Sequence, residues 1–163
     1  MLELKQIQEY HTFTDYGHHT KTSTPTGHKK IRVHFVFDVK HDGRHKARLV
    51  ADGHLTEIPL ESFYSGVVSL RGLRMVTFLA ELNNLDMWAT DIGNAYLEAN
   101  TSEKVFILAG PEFGSLEGHI LVIHKALYGL RSSGARWHNK FADCLRDLQF
   151  FPCKAEPDIW IRD

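Results

Sequence analysis

The sequence predicts an α+β or mixed α/β domain that opens on a β-hairpin and continues into a helix-packed sheet. Three observations carry this. Ile31, Val33, Phe35, Phe37 and Val39 repeat with a period of two and lead into Asp42-Gly43, a dipeptide whose turn preference joins antiparallel strands. Leu70, Leu73, Val76, Phe78, Leu79, Ala80 and Leu82 form a broad stripe at helical spacing. Later apolar runs of strand length alternate with a second helical stretch, and strands interleaved with packed helices define this class. At 163 residues, 43% hydrophobic and 24% charged, the chain is long enough for one domain with a real core.

Residues 1–27 show little apolar periodicity and end in TSTPTG, a loop-forming cluster. A weakly ordered or docked N-terminal arm is expected there, ahead of a domain over residues 28–163. The hairpin follows, with strands at 31–39 and 44–51. Lys46, Arg48 and Val50 fall on one face of the second strand and His45, Ala47 and Leu49 on the other, so the two long cations point the same way. After a connection containing Gly, Pro and Ser, Ser69 can cap a helix running to about Asn83, whose apolar stripe is expected to be core. Residues 85–92 then read as a strand in which Leu85, Met87, Ala89 and Asp91 share a face, so an aspartate ends an otherwise apolar side. Residues 94–99 read as a short helical turn and 104–108 and 119–124 as strands. Residues 133–148 read as an amphipathic helix through Trp137, Phe141, Cys144, Leu145 and Leu148, and a last strand begins at Ile159.

Composition excludes several classes of protein. The N-terminal residues lack a basic start leading into a long apolar run, so neither a secretory leader nor a membrane span is expected, and the protein is expected to be soluble and intracellular, cytoplasmic or nuclear. Two cysteines, Cys144 and Cys153, are too few for a disulfide scaffold and lack zinc-site spacing. The 11 histidines are scattered without an HExxH pattern and are assigned no metal. A net charge of -1 is low for a nucleic-acid binder, yet Lys29, Lys30, Arg32, Lys40, Arg44, Lys46 and Arg48 face only Asp38 and Asp42 within residues 28–48. Such a basic stretch can lie along phosphates, or simply be a solvated hairpin.

The stretch richest in chemistry is TDIGNAYLEA, residues 90–99. Asp91 can offer a hard oxygen ligand to a divalent cation and the Ile92 carbonyl a second, which suits magnesium. Gly93 allows the backbone to turn closely beneath a triphosphate, and Tyr96 can present its ring to a sugar. Alone this is a weak signal, because strand-ending aspartates often cap the next helix. Three stretches in order are more specific. FVFDVKHDGRHKARLVADG (35–53), TDIGNAYLEA (90–99) and HKALYGLRSSGARWHNKF (124–141) resemble the reverse transcriptase domain of Ty1/copia retrotransposons.

The resemblance implies the partial fingers and palm of a right-hand polymerase, acting on an RNA or DNA template-primer and deoxynucleoside triphosphates (dNTPs) with Mg2+. In its terms Lys46 and Arg48 approach the incoming triphosphate, and Asp91 is the first catalytic carboxylate, with Ile92 beside it as a metal ligand. Gly93 lies beneath the nucleotide, Tyr96 screens the sugar, and Tyr128, Gly129 and Arg131 line the nucleotide and template side. Two metal ions held by carboxylates would stabilise the attacking and leaving oxygens. The chain departs from the family pattern in three ways. No Tyr-x-Asp-Asp box occurs, although KAEPDIWIRD (154–163) resembles the strand that precedes it, so the resemblance implies a fragment that stops short and is inactive alone. Gly134 stands where the family has proline. The connection 56–67 is shortened, with SFYSGVVS (62–69) as the relic of a longer loop. The alternative expectation is a non-catalytic retroelement remnant that binds nucleic acid or a partner protein.

Overall fold

A computed structural model describes residues 2–56 and 65–162. It is α+β, and its contacts divide it into two compact units, one built from the chain before residue 65 together with residues 94–137, the other from residues 65–93 and the chain from 138 onward. The first three residues of SFYSGVVS lie outside the described residues.

The first unit holds the core. Its four-stranded sheet has the order β1-β6-β5-β2, with β1 at Phe13–His18, β2 at Lys29–Lys30, β5 at Val105–Leu108 and β6 at His119–Ile123. β5 and β6 are the continuous apolar runs VFIL and HILVI, and both their faces are covered, as such runs require. Val105, Ile107, Leu121 and Ile123 enter the main core, whereas Phe106, Ile120 and Val122 form a second cluster on the other side. Each such buried side chain stabilises the unit by roughly 1.5–3 kcal/mol.

Residues 1–27, read from the sequence as a weakly ordered or docked arm, contain two formed elements. Helix α1 (Leu2–Glu9) buries Leu4 and Ile7, and β1 pairs antiparallel with β6, Phe13 opposite Ile123. The polar sequence of β1 hides this, because its stability comes from a ladder with a strand about 110 residues away. A bulge at Tyr16-Gly17, where Gly17 takes φ +94°, resets the register so that His18 faces His119. Beside it the Asp15 carboxylate accepts from the Gly17 N–H at 2.7 Å and from His119 Nδ1 at 2.9 Å. Partial burial pushes the Asp15 carboxyl up, but the Gly17 hydrogen bond and the His119 contact outweigh it and hold it below its ordinary value. A depressed carboxyl stabilises the fold above its unfolded-state value of about 3.9, and that contribution is lost as pH falls through the lower folded value. Carboxyl carbon NMR titration should therefore show a midpoint for Asp15 below the usual range, and Asp15→Asn should flatten the acid limb of a stability-pH curve.

The hairpin forms its own two-stranded sheet, β3 (Val33–Val39) against β4 (His45–Ala51). The expected strand from Ile31 is split: Ile31 donates to the Phe106 carbonyl in the neighbouring sheet, and the hairpin ladder begins at Val33 opposite Ala51. Gly43, at φ +79°, closes the turn, and Asp42 holds Arg44 through two side-chain bonds. At the base Asp52 takes Arg32 and His34 on its two oxygens. Leu49 is fully buried and Val33 and Phe35 pack on the core, but Phe37 and Val39, on the same face, are exposed. The hairpin thus projects beyond the core that anchors it.

In the second unit, helix α2 (Leu70–Leu82) is capped as expected, Ser69 Oγ accepting from Gly72 N–H at 3.0 Å and donating to Glu156. Its stripe is not core. Leu70, Leu73, Met75, Val76, Phe78, Leu79 and Leu82 are all exposed, and only Gly72 and Ala80 are buried. Nor is 85–92 a strand: alternation becomes a strand only beside a partner strand, and among the described residues none pairs with it, Leu85 N–H instead donating back to the Ala80 carbonyl of α2. Trp88, on that segment, is 93% exposed. Helix α3 (Ser133–Asp147) forms where the sequence places it, yet Phe141 and Cys144 of its apolar face are exposed, as is Leu148 just past its end. Two short strands, β7 (Phe151–Pro152) and β8 (Trp160–Ile161), pair antiparallel, with Arg146 over the Trp160 ring.

Candidate functional site

Of the predicted site residues of the first unit, Arg48, Tyr96, Tyr128, Gly129 and Arg131 come together where β4 meets the loop before α3. Val50 bridges Tyr128 in parallel sense, and the Ala51 N–H donates to the Tyr128 carbonyl at 2.7 Å. Two glycines allow this approach. A Cβ on Gly129, at φ +90°, would lie 2.0 Å from the Ala51 carbonyl oxygen, and one on Gly53 would lie 2.0 Å from the Gly129 carbonyl oxygen. Arg131 closes the clasp, donating from Nε to the Gly53 carbonyl at 3.1 Å and from a terminal nitrogen to the His54 carbonyl at 3.2 Å. Its guanidinium is engaged with the protein backbone, so its role here is to hold the loop to the hairpin base.

Above the clasp stand Arg48, Tyr128 and Tyr96. The Arg48 guanidinium carbon lies 5.7 Å from the Tyr128 ring centre, a cation-π distance, and the Tyr96 ring lies 4.8 Å from that of Tyr128. Arg48 Nε is buried and has no hydrogen-bond partner among the described residues. A buried N–H donor without an acceptor is costly. Tyr96 is presented by a 3-10 turn, Ala95–Glu98, whose Leu97 is in the core. Lys46 lies two residues before Arg48 on the same strand face and lines a cleft of about 800 Å³ with Phe35, Phe37, Arg44 and Asn94.

Asp91, Ile92 and Gly93 belong to the other unit and are exposed. Gly93 has open space around it, and the left-handed residue of this turn is Asn94, at φ 52°. The close turn expected of Gly93 is thus made one residue later, by a residue type that tolerates this conformation. Among the described residues no three His, Cys, Asp or Glu side chains converge on a possible metal position. Asp91 with the Ile92 carbonyl does not amount to the donor set that two magnesium ions need.

Residues 16–163 match the family described as reverse transcriptase (RNA-dependent DNA polymerase). The chain belongs to the reverse transcriptase family. Within it the chain is of the Ty1/copia type, as its relatives show. It is 33% identical over 139 residues to the truncated transposon Ty1-A Gag-Pol polyprotein of Saccharomyces cerevisiae, covering 83% of this chain and 11% of the relative. The Ty1-DR5 Gag-Pol polyprotein of the same yeast is also 33% identical, with 83% of this chain and 8% of the relative covered. The retrovirus-related Pol polyprotein from transposon TNT 1-94 of Nicotiana tabacum is 24% identical, with 95% of this chain and 12% of the relative covered. The chain thus spans about a tenth of the length of these polyproteins. No solved structure matches it.

Sequence reasoning about this reverse transcriptase segment missed Gly53 and Glu103. Gly53 sits in the quoted hairpin stretch, but its requirement lies in a backbone collision with Gly129 that only tertiary structure reveals. Glu103 Oε1 accepts from both the N–H and the hydroxyl of Ser132, fixing the segment that leads from Arg131 into α3. Ser133 adds a bond to the Leu127 carbonyl, so the loop is held from both ends.

Proposed function

We propose that this chain is the nucleotide- and template-facing portion, partial fingers and palm, of an RNA-directed DNA polymerase, and that it binds without catalysing by itself. The observation that carries this is the buried, unpartnered Nε of Arg48, held over the Tyr128-Tyr96 pair. The Arg48 guanidinium is suited to phosphate by shape as well as charge. Lys46, on the same face, adds a mobile point charge along the cleft. Tyr96, its ring supported by Tyr128, stands as the flat edge against a deoxyribose, where an added 2′-hydroxyl is disfavoured. Arg131, Gly53 and Gly129 position these groups and do not touch the nucleotide. The family uses a divalent metal, but Asp91 alone does not build its site, so no chemical step is assigned to this chain.

Calorimetry with dTTP and fluorescence anisotropy with a primer-template duplex test this reading. Arg48→Ala is expected to weaken dTTP binding by about 10–100-fold, the equivalent of one charge-assisted hydrogen bond of about 1.5–3 kcal/mol. Duplex binding should weaken steeply with salt, and Lys46→Ala or Arg48→Ala should reduce that log-log slope by about one where the cation meets a backbone phosphate. Equal dTTP binding by Arg48→Ala and the parent chain would remove the proposal. Labelled dTTP in the same duplex mixture should remain unincorporated, and processive extension would overturn the non-catalytic half.

A further inference from the structure

Helix α1, which precedes the family motifs, reaches the candidate site through one side chain. In the hairpin register Val36 is opposite Arg48 and Phe35 opposite Leu49, and alternate residues of such a strand turn their N–H groups away from the partner strand. On β4 the outward N–H groups are those of Ala47, Leu49 and Ala51. Ala51 donates to the Tyr128 carbonyl at 2.7 Å. Leu49 donates to Glu3 Oε1 of α1 at 3.3 Å, across 46 positions of sequence. The N–H of Ala47 has no acceptor outside the hairpin among the described residues.

Glu3 is held where this bond requires it. Its neighbours Leu4 and Ile7 are buried in the main core with Leu49, and the same cluster contains Leu97 of the turn that presents Tyr96. Glu3 and Gln6 line the cleft together with Lys46 and Asn94, so the carboxylate stands at the candidate site while it accepts from the backbone. A negative charge in that cleft opposes the binding of a triphosphate, and attraction for the ligand therefore does not account for Glu3. Support of the strand does. The bonds at Leu49 and Ala51 pin β4 immediately after Arg48, and a binding group meets its ligand only as accurately as the backbone beneath it is fixed.

We propose that Glu3 is a positioning residue for Arg48. It does not touch the nucleotide. Its carboxylate holds the outer edge of β4 at Leu49 and, with the Tyr128 carbonyl at Ala51, fixes the strand from which the Arg48 guanidinium reaches over the Tyr128 ring. This rests on the reading of Arg48 as the phosphate-facing group, and it makes α1 part of the support of that group. The property that matters is acceptance of a hydrogen bond, and glutamine offers an oxygen at the same place without the charge. Two roles for Glu3 then differ in sign. A charge acting alone predicts tighter dTTP binding when position 3 is neutralised by either Ala or Gln, whereas positioning predicts weaker binding with Ala and none of that loss with Gln.

Calorimetry with dTTP and NMR hydrogen exchange on the whole chain test this. Glu3→Ala is expected to weaken dTTP binding by about 3–10-fold, the size of one lost hydrogen bond. Glu3→Gln should bind at least as tightly as the parent, and Glu9→Ala, which removes the same charge from the exposed far end of α1, should bind as the parent does. The Leu49 amide should exchange about 10-fold faster in Glu3→Ala and keep its protection in Glu3→Gln, while the Arg48 Nε–H resonance should move in Glu3→Ala alone. In the parent chain the Leu49 amide should exchange more slowly than that of Ala47, a comparison that requires no variant to fold. The proposal is overturned by Glu3→Ala binding dTTP as tightly as the parent or more so, by equal losses in both Glu3 variants, or by a Leu49 amide that exchanges as fast as that of Ala47. A parent chain that binds no dTTP would instead remove the nucleotide reading, and the Leu49 and Arg48 resonances would still decide whether Glu3 sets the strand.

Discussion

Gly129→Ala should destabilise the chain by on the order of 2–6 kcal/mol, read as a fall in the denaturant midpoint at unchanged slope. Two causes add. Position 129 has φ +90°, where a residue with a Cβ is strained by about 1–3 kcal/mol. The new methyl would also lie 2.0 Å from the Ala51 carbonyl oxygen, and overpacking against a backbone that cannot rotate away costs about 1–3 kcal/mol more. Gly53→Ala meets the Gly129 carbonyl oxygen at 2.0 Å and should behave similarly without the φ penalty. Gly93→Ala, whose Cβ would meet nothing within 4 Å, should shift the midpoint by less than about 0.5 kcal/mol equivalent. A tolerant Gly129→Ala would mean that the clasp between β4 and the YGLR loop opens without cost in solution.

Leu49→Ala should cost about 2–5 kcal/mol, the range for emptying a buried leucine site. Leu49 has no exposure and lies in the main core with Leu4, Ile31 and Leu130. It is also one residue from Arg48, so the variant should lose dTTP affinity along with stability, as the hairpin shifts on its anchor. Phe37→Ser, toward the exposed end of the same hairpin at 76% exposure, should change stability by no more than about 0.5 kcal/mol. A small effect at Leu49 would show that the hairpin is seated by its base contacts with Asp52 and not by burial.

These two variants also mark the border of what sequence discloses. The hairpin, the turns at Asp42-Gly43 and 94–99, β5, β6 and α3 were legible because period, apolar runs and capping residues act locally. β1 was not, because FTDYGH has no strand pattern and owes its place to β6. α2 formed as read but was not buried, since a stripe states only which side can be covered and the described part of its unit offers little to cover it. Residues 85–92 failed as a strand for the same reason. Within the candidate site, the sequence singles out Arg48, Tyr96 and Tyr128 by type and order, and the structure brings their side chains together. Arg131 donates to the Gly53 and His54 carbonyls, a tertiary fact no spacing encodes. The facing of His18 and His119 depends in the same way on a long-range strand pair, β1 with β6.

That strand pair has a consequence for biosynthesis. β1 leaves the ribosome more than 100 residues ahead of the β6 segment it must join. At roughly 5–20 residues per second, the nascent chain carries β1 without its partner for on the order of 5–20 s. Before residues 119–123 emerge, local elements such as α1, the hairpin and α2 can form, whereas β1 joins the sheet only after β6 is made. A pause placed before that point, or a chaperone that holds the early segment, should govern yield more strongly than any surface substitution.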